Sequence, residues 1–304
     1  MYNDGLSIVI PSYNRKEQLI KVLDSIFSQD ITTLYEVVVI DNCSDYNISE
    51  FYTHEKLRII RNNINVGMST NIVNPFLHCK TKWMWILSDD DITLNNSINI
   101  INNKIKDQPN NCAFKFSTEG TSTTGLEKDL SIKSLQELIN YYKFDKKIRR
   151  GNLVFISNNV LNLETLYPYL GKAFEYSYTF IGHLIPIFYA LDEKQLMTFS
   201  SQKIVKYIDP GDNFWSFEKV GLGLTTLSHI NFDLNKEEYK KFLDVVFPIT
   251  YDRLFKYYFK KRNKKGFRNY KMTYHTIYFQ NLNTIEKIKY YFYSIILYLN
   301  EKRK

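Results

Sequence analysis

The chain has 304 residues, 44% of them hydrophobic and 16% aromatic, which excludes a disordered chain and predicts a large buried core. No run reaches the roughly 18 apolar residues of a membrane-spanning helix, so none is predicted. Residues 251–304 hold 14 basic and 3 acidic residues, a net +11, whereas the whole chain is only +8. Anionic partners are therefore expected at the C-terminal end.

Cysteine usage and the N-terminus indicate a compartment. The three cysteines, Cys43, Cys79 and Cys112, have no metal-site spacing, and their odd number is typical of free thiols in a reducing environment. Residues 1–5 lack a basic segment followed by an apolar one, so no signal peptide is predicted. We therefore expect a cytoplasmic protein.

Apolar runs and helical patterns alternate through the first hundred residues. Residues 6–10 are predicted to form a strand stopped by Pro11, and Asn14 is placed to cap the helix that follows. Further buried strands are predicted at residues 35–40, 57–60 and 83–87, with a helix at 69–78 before the last. This β–α–β–α order predicts an α/β fold with a parallel sheet and right-handed crossovers.

Three consecutive acids, Asp89, Asp90 and Asp91, follow the strand at 83–87. Ligands of open α/β sheets bind outside the carboxyl ends of the strands. Adjacent carboxylates repel one another, and a divalent cation that bridges nucleotide phosphates is the expected counter-charge. The alternative is a solvated acidic turn, or a helix that starts at Thr93 and is capped by Asp91.

Polar residues also follow the two preceding strands. Asp41 follows the strand at 35–40 and could accept a hydrogen bond from a base N–H, while Asn42 offers both a donor and an acceptor. The alternative for Asp41 is an Asx-turn. Asn65 and Gly67 belong either to the same crevice or to a polar turn before a helix.

Four motifs resemble those of the family 2 glycosyltransferases of GT-A fold. They are residues 7–15, SIVIPSYNR; residues 36–45, EVVVIDNCSD; residues 63–67 with Asn71; and residues 87–91, which resemble the family's metal-binding D-x-D. They occur in the family's order, and the resemblance extends over residues 6–115.

The resemblance implies a GT-A, Rossmann-like fold: a mixed, mostly parallel sheet flanked by helices. It implies inverting transfer of a sugar from a nucleotide-sugar to a glycan hydroxyl, with Mg²⁺ or Mn²⁺ held by Asp91. Asp41 would contact the base, and Asp89 the ribose or a metal-bound water. Asp90 belongs to the same donor site, with its side chain turned away to support the helix. The other implied donor-site residues are Pro11, Tyr13, Asn14, Asn65, Gly67 and Asn71.

The middle of the chain contains fewer signals. The resemblance implies a catalytic base just before a helix, which is Glu175 by order along the chain; the alternative is a helix N-terminal charge. His183 lies in the apolar run 178–191 and is either a core histidine or an acceptor-site residue. Trp215, in the loop 209–223, would either close over a sugar or anchor that loop in the core.

From residue 236 onward the pattern predicts helices. Residues 256–268 interleave aromatic and basic side chains, a composition that suits a membrane interface and equally nucleic acid. No nucleic-acid motif accompanies them, and glycosyltransferases similar to this chain often use lipid-linked acceptors, so an anionic membrane is favoured. The apolar residues of the last segment are expected to pack on the body: Ile288, Phe292, Ile295, Ile296 and Leu299.

We therefore predict a nucleotide-sugar-binding half (1–115), an acceptor-binding half (116–235) and a basic, aromatic-rich helical extension (236–304). The expected acceptor is a lipid-linked polysaccharide, capsule or lipopolysaccharide, at the inner face of the cell membrane. A sugar-nucleotide pyrophosphorylase is one alternative, but residues 11–14 lack the glycine-rich phosphate loop it requires. The other is a non-catalytic glycan- or membrane-binding protein of the same fold, which the intact acid triplet disfavours.

Overall fold

The structure is a computed structural model that describes residues 2–120, 126–144, 151–208, 227, 230–246, 255, 259 and 284–302. The chain divides into two compact units, Met1–Gly211 and Asp212–Lys304. The first contains every predicted donor motif. The predicted boundary between residues 115 and 116 falls inside this unit, so the two predicted halves share one sheet.

A nine-stranded sheet forms the core of the first unit. Its strands are β1 (Asn3–Ser12), β2 (Leu34–Asp41), β3 (Leu57–Arg61), β4 (Thr81–Ile86), β5 (Ile92–Thr93), β6 (Ala113–Glu119), β7 (Leu130–Ile132), β8 (Asn159–Asn162) and β9 (Met197–Lys206). They lie in the order β3-β2-β1-β4-β8-β6-β9-β5, and β7 also pairs with β9. Strands β1 to β4 are parallel, as predicted, whereas β8 is antiparallel to β4 and to β6.

Helices flank this sheet. They are α1 (Lys16–Phe27), α2 (Met68–Val73), α3 (Pro75–His78), α4 (Ser97–Asp107), α5 (Leu135–Phe144), α6 (Gly151–Val154), α7 (Leu163–Leu166), α8 (Leu170–Glu175) and α9 (Ile185–Asp192). In α1 one face is buried against the core, because Leu19, Val22, Leu23 and Ile26 recur at helical spacing. The helix predicted at 69–78 is divided at Asn74, where Pro75 begins α3.

The first strand continues through Pro11 instead of stopping there. Pro11 is in register with Ile40 of β2, while the pairing of β1 with β4 ends at Val9 and Ile86. Pro11 therefore lies beyond the ladder to β4, where its missing N–H removes no hydrogen bond from that ladder. As a result, β1 reaches Ser12 and brings the next residues to the carboxyl end of β4.

The second unit has two described helices, α10 (Lys236–Val246) and α11 (Thr284–Lys302). Within the described ranges, no helix has the length and apolarity to cross a bilayer. In α11 the buried positions are Tyr290, Ser294 and Leu297. The expected packing of the last segment is wrong for four residues, because these lie on the opposite, exposed face: Ile288, Phe292, Ile295 and Leu299.

Candidate functional site

The carboxyl ends of β1 and β2 are joined by Asn14. Its backbone N–H donates to the Ser44 hydroxyl, its Nδ2 donates to Asp45, and its Oδ1 accepts from the Asp45 backbone N–H, each at 2.9 Å. Its φ of 51° is one that asparagine tolerates better than most residues. The predicted helix cap is therefore wrong, since Asn14 connects two loops and Arg15 takes the N-cap position without a side-chain cap bond.

Arg15 links the end of β1 to the acids that follow β4. Its Nη1 lies 3.1 Å from Asp89 Oδ1 and forms a second, shorter ion pair with Asp90 Oδ2. The other oxygen of Asp90 accepts from the Ser88 hydroxyl at 2.5 Å. Asp90 therefore faces Arg15 together with Asp89, contrary to the expectation that it turns away. Sequence reasoning missed the role of Arg15, although it is the only basic residue of the first motif.

Asp91 is held by two donors from distant parts of the chain. Its Oδ2 accepts from the Ser157 hydroxyl at 2.6 Å, and its Oδ1 accepts from the Ile208 backbone N–H at 3.2 Å. Only 1% of the residue is exposed. The alternative interpretation as a helix cap is wrong, because α4 begins at Ser97 and Asn96 takes the N-cap position.

The triplet carries excess negative charge in a dry environment. Burial raises the pKa of Asp89 to about 6, opposed mainly by the neighbouring Arg15 guanidinium. Burial also raises the pKa of Asp91 to about 7, opposed mainly by the Ser157 hydroxyl and reinforced by the charge of Asp90. Three ionised carboxylates beside one guanidinium leave a formal charge of −2, which one divalent cation would neutralise.

A cation at Asp91 would need ligands from outside the described side chains as well as from the protein. No group of three or more His, Cys, Asp or Glu side chains converges into a metal cage in the part of the chain that the structure describes. A hard cation at Asp91 would thus take one or two carboxylate oxygens from the protein. Its remaining ligands would be donor phosphate oxygens and water, the usual arrangement for Mg²⁺.

Asp41 is buried at the end of β2 and pairs with a cation that sequence reasoning did not identify. Its Oδ2 accepts from Arg61 Nη1 at 2.6 Å, and its Oδ1 accepts from the Ser44 backbone N–H at 2.9 Å. Arg61 also donates to the carbonyls of Ser44 and Tyr46 at 2.5 and 2.7 Å. Asp41 therefore stabilises the loop after β2, although its bond reaches the N–H three residues on and not two, as in an Asx-turn. Its contact with a base stays a prediction.

Asparagine side chains organise the loop after β3. The Asn42 amide donates to Asn65 at 2.8 Å and accepts from Asn62 at 3.0 Å, and Asn62 donates to Asn71 at 3.1 Å. Gly67 follows with φ of 84°, and nothing lies within 4 Å of the Cβ that another residue would add. Backbone conformation thus accounts for this glycine. The structure brings the predicted residues Asn65, Gly67 and Asn71 together around Asn42.

Lys115 of β6 is a second residue that sequence reasoning missed. It is 1% exposed, and its Nζ donates to the side-chain carbonyls of Asn158 and Asn159 at 2.8 and 3.0 Å and to the Phe155 backbone carbonyl at 3.3 Å. Burial lowers the pKa of Lys115 well below its ordinary value. These bonds hold the segment that carries Ser157, the partner of Asp91.

His183 lies in the core of the first unit, as one of its two interpretations predicts. Burial lowers its pKa to about 3, and the charge of Lys115 adds to that effect. Among the described residues, neither ring nitrogen has a hydrogen-bond partner. His183 is therefore buried as a core histidine would be, but within the described residues it lacks the hydrogen bonds of a satisfied one, and its role at an acceptor site stays a prediction.

Glu175 is the last residue of α8, so its alternative interpretation as a helix N-terminal charge is wrong. Its side chain is exposed, and its one hydrogen-bonding partner in the described ranges is Lys172, at 2.7 Å. The structure does not join it to the acids after β4. Trp215 and most of the basic run 256–268 lie outside the described residues.

The chain resembles known proteins in sequence and in structure. The model of the family described as Glycosyl transferase family 2 matches residues 7–162. A glycosyltransferase of Haemophilus influenzae, described as uncharacterized, is 29% identical over 106 residues, and the abequosyltransferase RfbV of Salmonella typhimurium is 30% identical over 110. Each match covers 34% of this chain; it covers 36% of the Haemophilus protein and 33% of RfbV. The chain therefore spans about a third of the length of each relative.

The fold is shared with solved structures of S. aureus TarS 1-349. The superposition with one of them covers 99% of this chain and 92% of the TarS 1-349 chain, with a TM-score of 0.64 and 12% sequence identity. TarS 1-349 has also been solved with UDP and with UDP-GlcNAc, at TM-scores of 0.64 and 0.62. The predicted fold class, a GT-A mixed and mostly parallel sheet flanked by helices with a C-terminal helix, is confirmed.

Proposed function

The chain belongs to glycosyl transferase family 2, as its motifs predicted, and from this premise we propose that it transfers a sugar from a nucleotide-sugar to a glycan hydroxyl, with inversion. The observation that carries the proposal is the set of three carboxylates beyond the carboxyl end of β4, where Arg15 pairs with Asp89 and Asp90 and Ser157 holds Asp91. Ligands of open α/β sheets bind at this edge.

The nucleotide would lie along the loops after β1, β2 and β3. Asp41 would accept from the base through lone pairs that its bonds to Arg61 and Ser44 leave free, since each carboxylate oxygen accepts more than one hydrogen bond. The other donor-site residues proposed are Pro11, Tyr13, Asn14, Asn65, Gly67 and Asn71. Because TarS was solved with UDP and UDP-GlcNAc, uridine nucleotides are the first donors to test.

Asp91 would hold Mg²⁺ or Mn²⁺, and Asp89 would contact the ribose or a metal-bound water. When bound, the cation supplies Lewis-acid neutralisation of the charge on the departing diphosphate. Arg15 orients the carboxylates of Asp89 and Asp90, and Ser157 orients that of Asp91. These contacts would keep the acids in place before the donor arrives, so that little reorganisation is needed during transfer.

A base must take the proton from the acceptor hydroxyl. Glu175 stays the proposed base, since its exposed carboxylate has only one ion pair, with Lys172, among the described residues. Asp192 and Glu193, at the end of α9, are the next candidates; Glu193 accepts from the Tyr169 hydroxyl at 2.5 Å.

The proposed acceptor is a lipid-linked polysaccharide, capsule or lipopolysaccharide precursor. The basic C-terminal segment, with its net +11 over residues 251–304, would keep the enzyme at an anionic membrane surface from the cytoplasmic side. No nucleic-acid partner is proposed.

The rival functions make different predictions. Membership of the glycosyltransferase family counts against a pyrophosphorylase. A non-catalytic member would bind a donor without turning it over. The test is therefore a thermal-shift screen of nucleotide-sugars, including UDP-GlcNAc and an abequose donor, followed by incubation of the stabilising donor with Mn²⁺ or with EDTA. We expect slow metal-dependent hydrolysis without acceptor and transfer with it. Donor stabilisation with no turnover under any condition would contradict the proposal.

A further inference from the structure

The exposed face of α11 is apolar along its whole length. Its buried face is formed by Tyr290, Ser294 and Leu297. On the opposite face five aliphatic or aromatic residues are between 51% and 67% exposed: Ile285, Ile288, Phe292, Ile295 and Leu299. They are spaced by three and four residues in alternation, so they form one continuous stripe along roughly 21 Å of helix.

One edge of this stripe is aromatic. Tyr291 and Tyr298 are 53% and 44% exposed and lie seven residues apart, so they extend the apolar surface to an arc of about 140° at about 100° per residue. The Lys302 ammonium lies 5.8 Å from the centre of the Tyr298 ring. Tyrosine rings and lysines beside an apolar stripe suit the boundary between lipid headgroups and acyl chains.

The charge of the segment distinguishes between two possible occupants. The alternating spacing would also fit a helix of a second copy, as in a coiled coil. However, the second copy would bring another segment 251–304 with a net charge of +11 beside the first. An anionic lipid surface attracts the same charge, at about 1 kcal/mol for each basic residue near it. The charge therefore favours lipid over self-association.

We propose that the exposed face of α11 inserts into the headgroup region of an anionic bilayer. The inference rests on the proposed membrane contact and names the element that makes it, which is the apolar stripe of α11 buried in lipid. The basic residues of the segment 251–304 add an electrostatic attraction that salt screens. The basic charges respond to salt, whereas burial of the stripe does not.

The test is co-sedimentation of the full chain with vesicles of phosphatidylcholine, with or without phosphatidylglycerol, at low and at high salt. The variants are Phe292→Ser with Ile295→Ser and, as an independent pair, Ile288→Ser with Leu299→Ser. Leu77→Ser is the matched control, because Leu77 is 65% exposed on α3 in the first unit. Light scattering of the same samples reports the oligomeric state.

We expect wild type and Leu77→Ser to bind anionic vesicles at low salt and to keep part of that binding at high salt. Each double variant should lose at least about tenfold in partitioning, because two apolar side chains no longer leave water. Absent wild-type binding, or wild-type behaviour of both double variants, would overturn the proposal. So would a wild-type dimer that the double variants disperse without change in vesicle binding.

Donor-induced thermal stabilisation is measured in the same samples without vesicles. It reports on the proposed glycosyltransferase independently of the bilayer. Loss of vesicle binding with normal donor stabilisation in the double variants would support the role of α11. Vesicle binding by a chain that no nucleotide-sugar stabilises would leave the α11 proposal standing and contradict the proposed function.

Discussion

Replacing Ser157 by alanine should weaken cation binding in a way that depends on pH. The Ser157 hydroxyl donates to buried Asp91 at 2.6 Å and accepts from the Ser88 backbone N–H at 2.9 Å. A hydrogen bond to a charged group contributes about 1.5–3 kcal/mol. Since one pKa unit equals about 1.4 kcal/mol, its loss should raise the pKa of Asp91 by one to two units above its value of about 7.

The consequence is a competition between the cation and the proton. In the wild type about half of Asp91 is ionised near neutral pH, whereas in Ser157→Ala only about one in ten to one in a hundred molecules should be. Apparent Mn²⁺ affinity should therefore fall by roughly 5- to 50-fold at neutral pH, and the difference should shrink as pH rises above the raised pKa. The assay is the electron paramagnetic resonance signal of free Mn²⁺ in the presence of UDP.

Ser201→Ala is the matched control. It removes a hydroxyl that donates to Asp129 at 2.9 Å, so it costs a similar hydroxyl–carboxylate bond in another part of the sheet. Its Mn²⁺ affinity should equal that of the wild type at every pH. An unchanged affinity in Ser157→Ala, or a loss of the same size at all pH values, would refute the link between Ser157 and the ionisation of Asp91.

Three further predictions concern the same unit. Because burial raises the pKa values of Asp89 and Asp91, the folded state binds more protons than the unfolded state. The free energy of unfolding without metal should therefore fall as pH rises from about 4 to about 7. A rise in urea titrations over this range would contradict the prediction. Lys115→Met should lower the free energy of unfolding in urea by about 3 kcal/mol, because the buried side-chain carbonyls of Asn158 and Asn159 lose their donor, and Mn²⁺ affinity should fall with it. Normal stability and affinity would show that these two carbonyls find other donors. Glu175→Gln should slow transfer by about two to four orders of magnitude with unchanged donor affinity in calorimetry; a loss of donor affinity with persisting turnover would remove Glu175 as the base.

The central strands were predictable because their signals are local. The apolar runs of β1, β2 and β4 are buried and that of β3 is partly buried, and the motifs that follow these strands are adjacent to them in sequence. The strand end at Pro11 was predicted wrongly, because the proline's effect depends on where the ladder to β4 stops. That register is a tertiary property.

The main partners of the acids were not predictable, because Arg15 and Ser157 are both distant from the acids in sequence. Arg15 lies 74 residues from Asp89, and Ser157 lies 66 residues from Asp91. Lys115 stands in an apolar strand with no carboxylate nearby to mark it, and only its burial against Asn158 and Asn159 reveals its contacts. Sequence patterns placed the acids at a strand end, and packing decides which groups neutralise them.

The C-terminal helix was predictable from its apolar pattern, but the face that it buries was not. Residues such as Phe292 and Leu299 are apolar at helical spacing, which predicts a helix with a buried face, and α11 is such a helix. Apolar residues also occupy its other face, at Tyr290 and Leu297, so the pattern alone does not determine which face is buried. Glu175 was placed only by its order along the chain, and no local motif marked it as the end of α8.

The most direct measurement for the proposed site is the rate of sugar transfer by Asp91→Asn in Mn²⁺, beside Asp107→Asn, an exposed aspartate at the end of α4. Asp91 is buried, but asparagine keeps its size and, like the protonated acid that burial favours, carries no charge, so the fold should survive in both variants. If Asp91 holds the cation, Asp91→Asn should lose on the order of 10²–10³ in rate while Asp107→Asn keeps the wild-type rate. A rate for Asp91→Asn within a few-fold of wild type, or full wild-type activity in excess EDTA, would contradict the account.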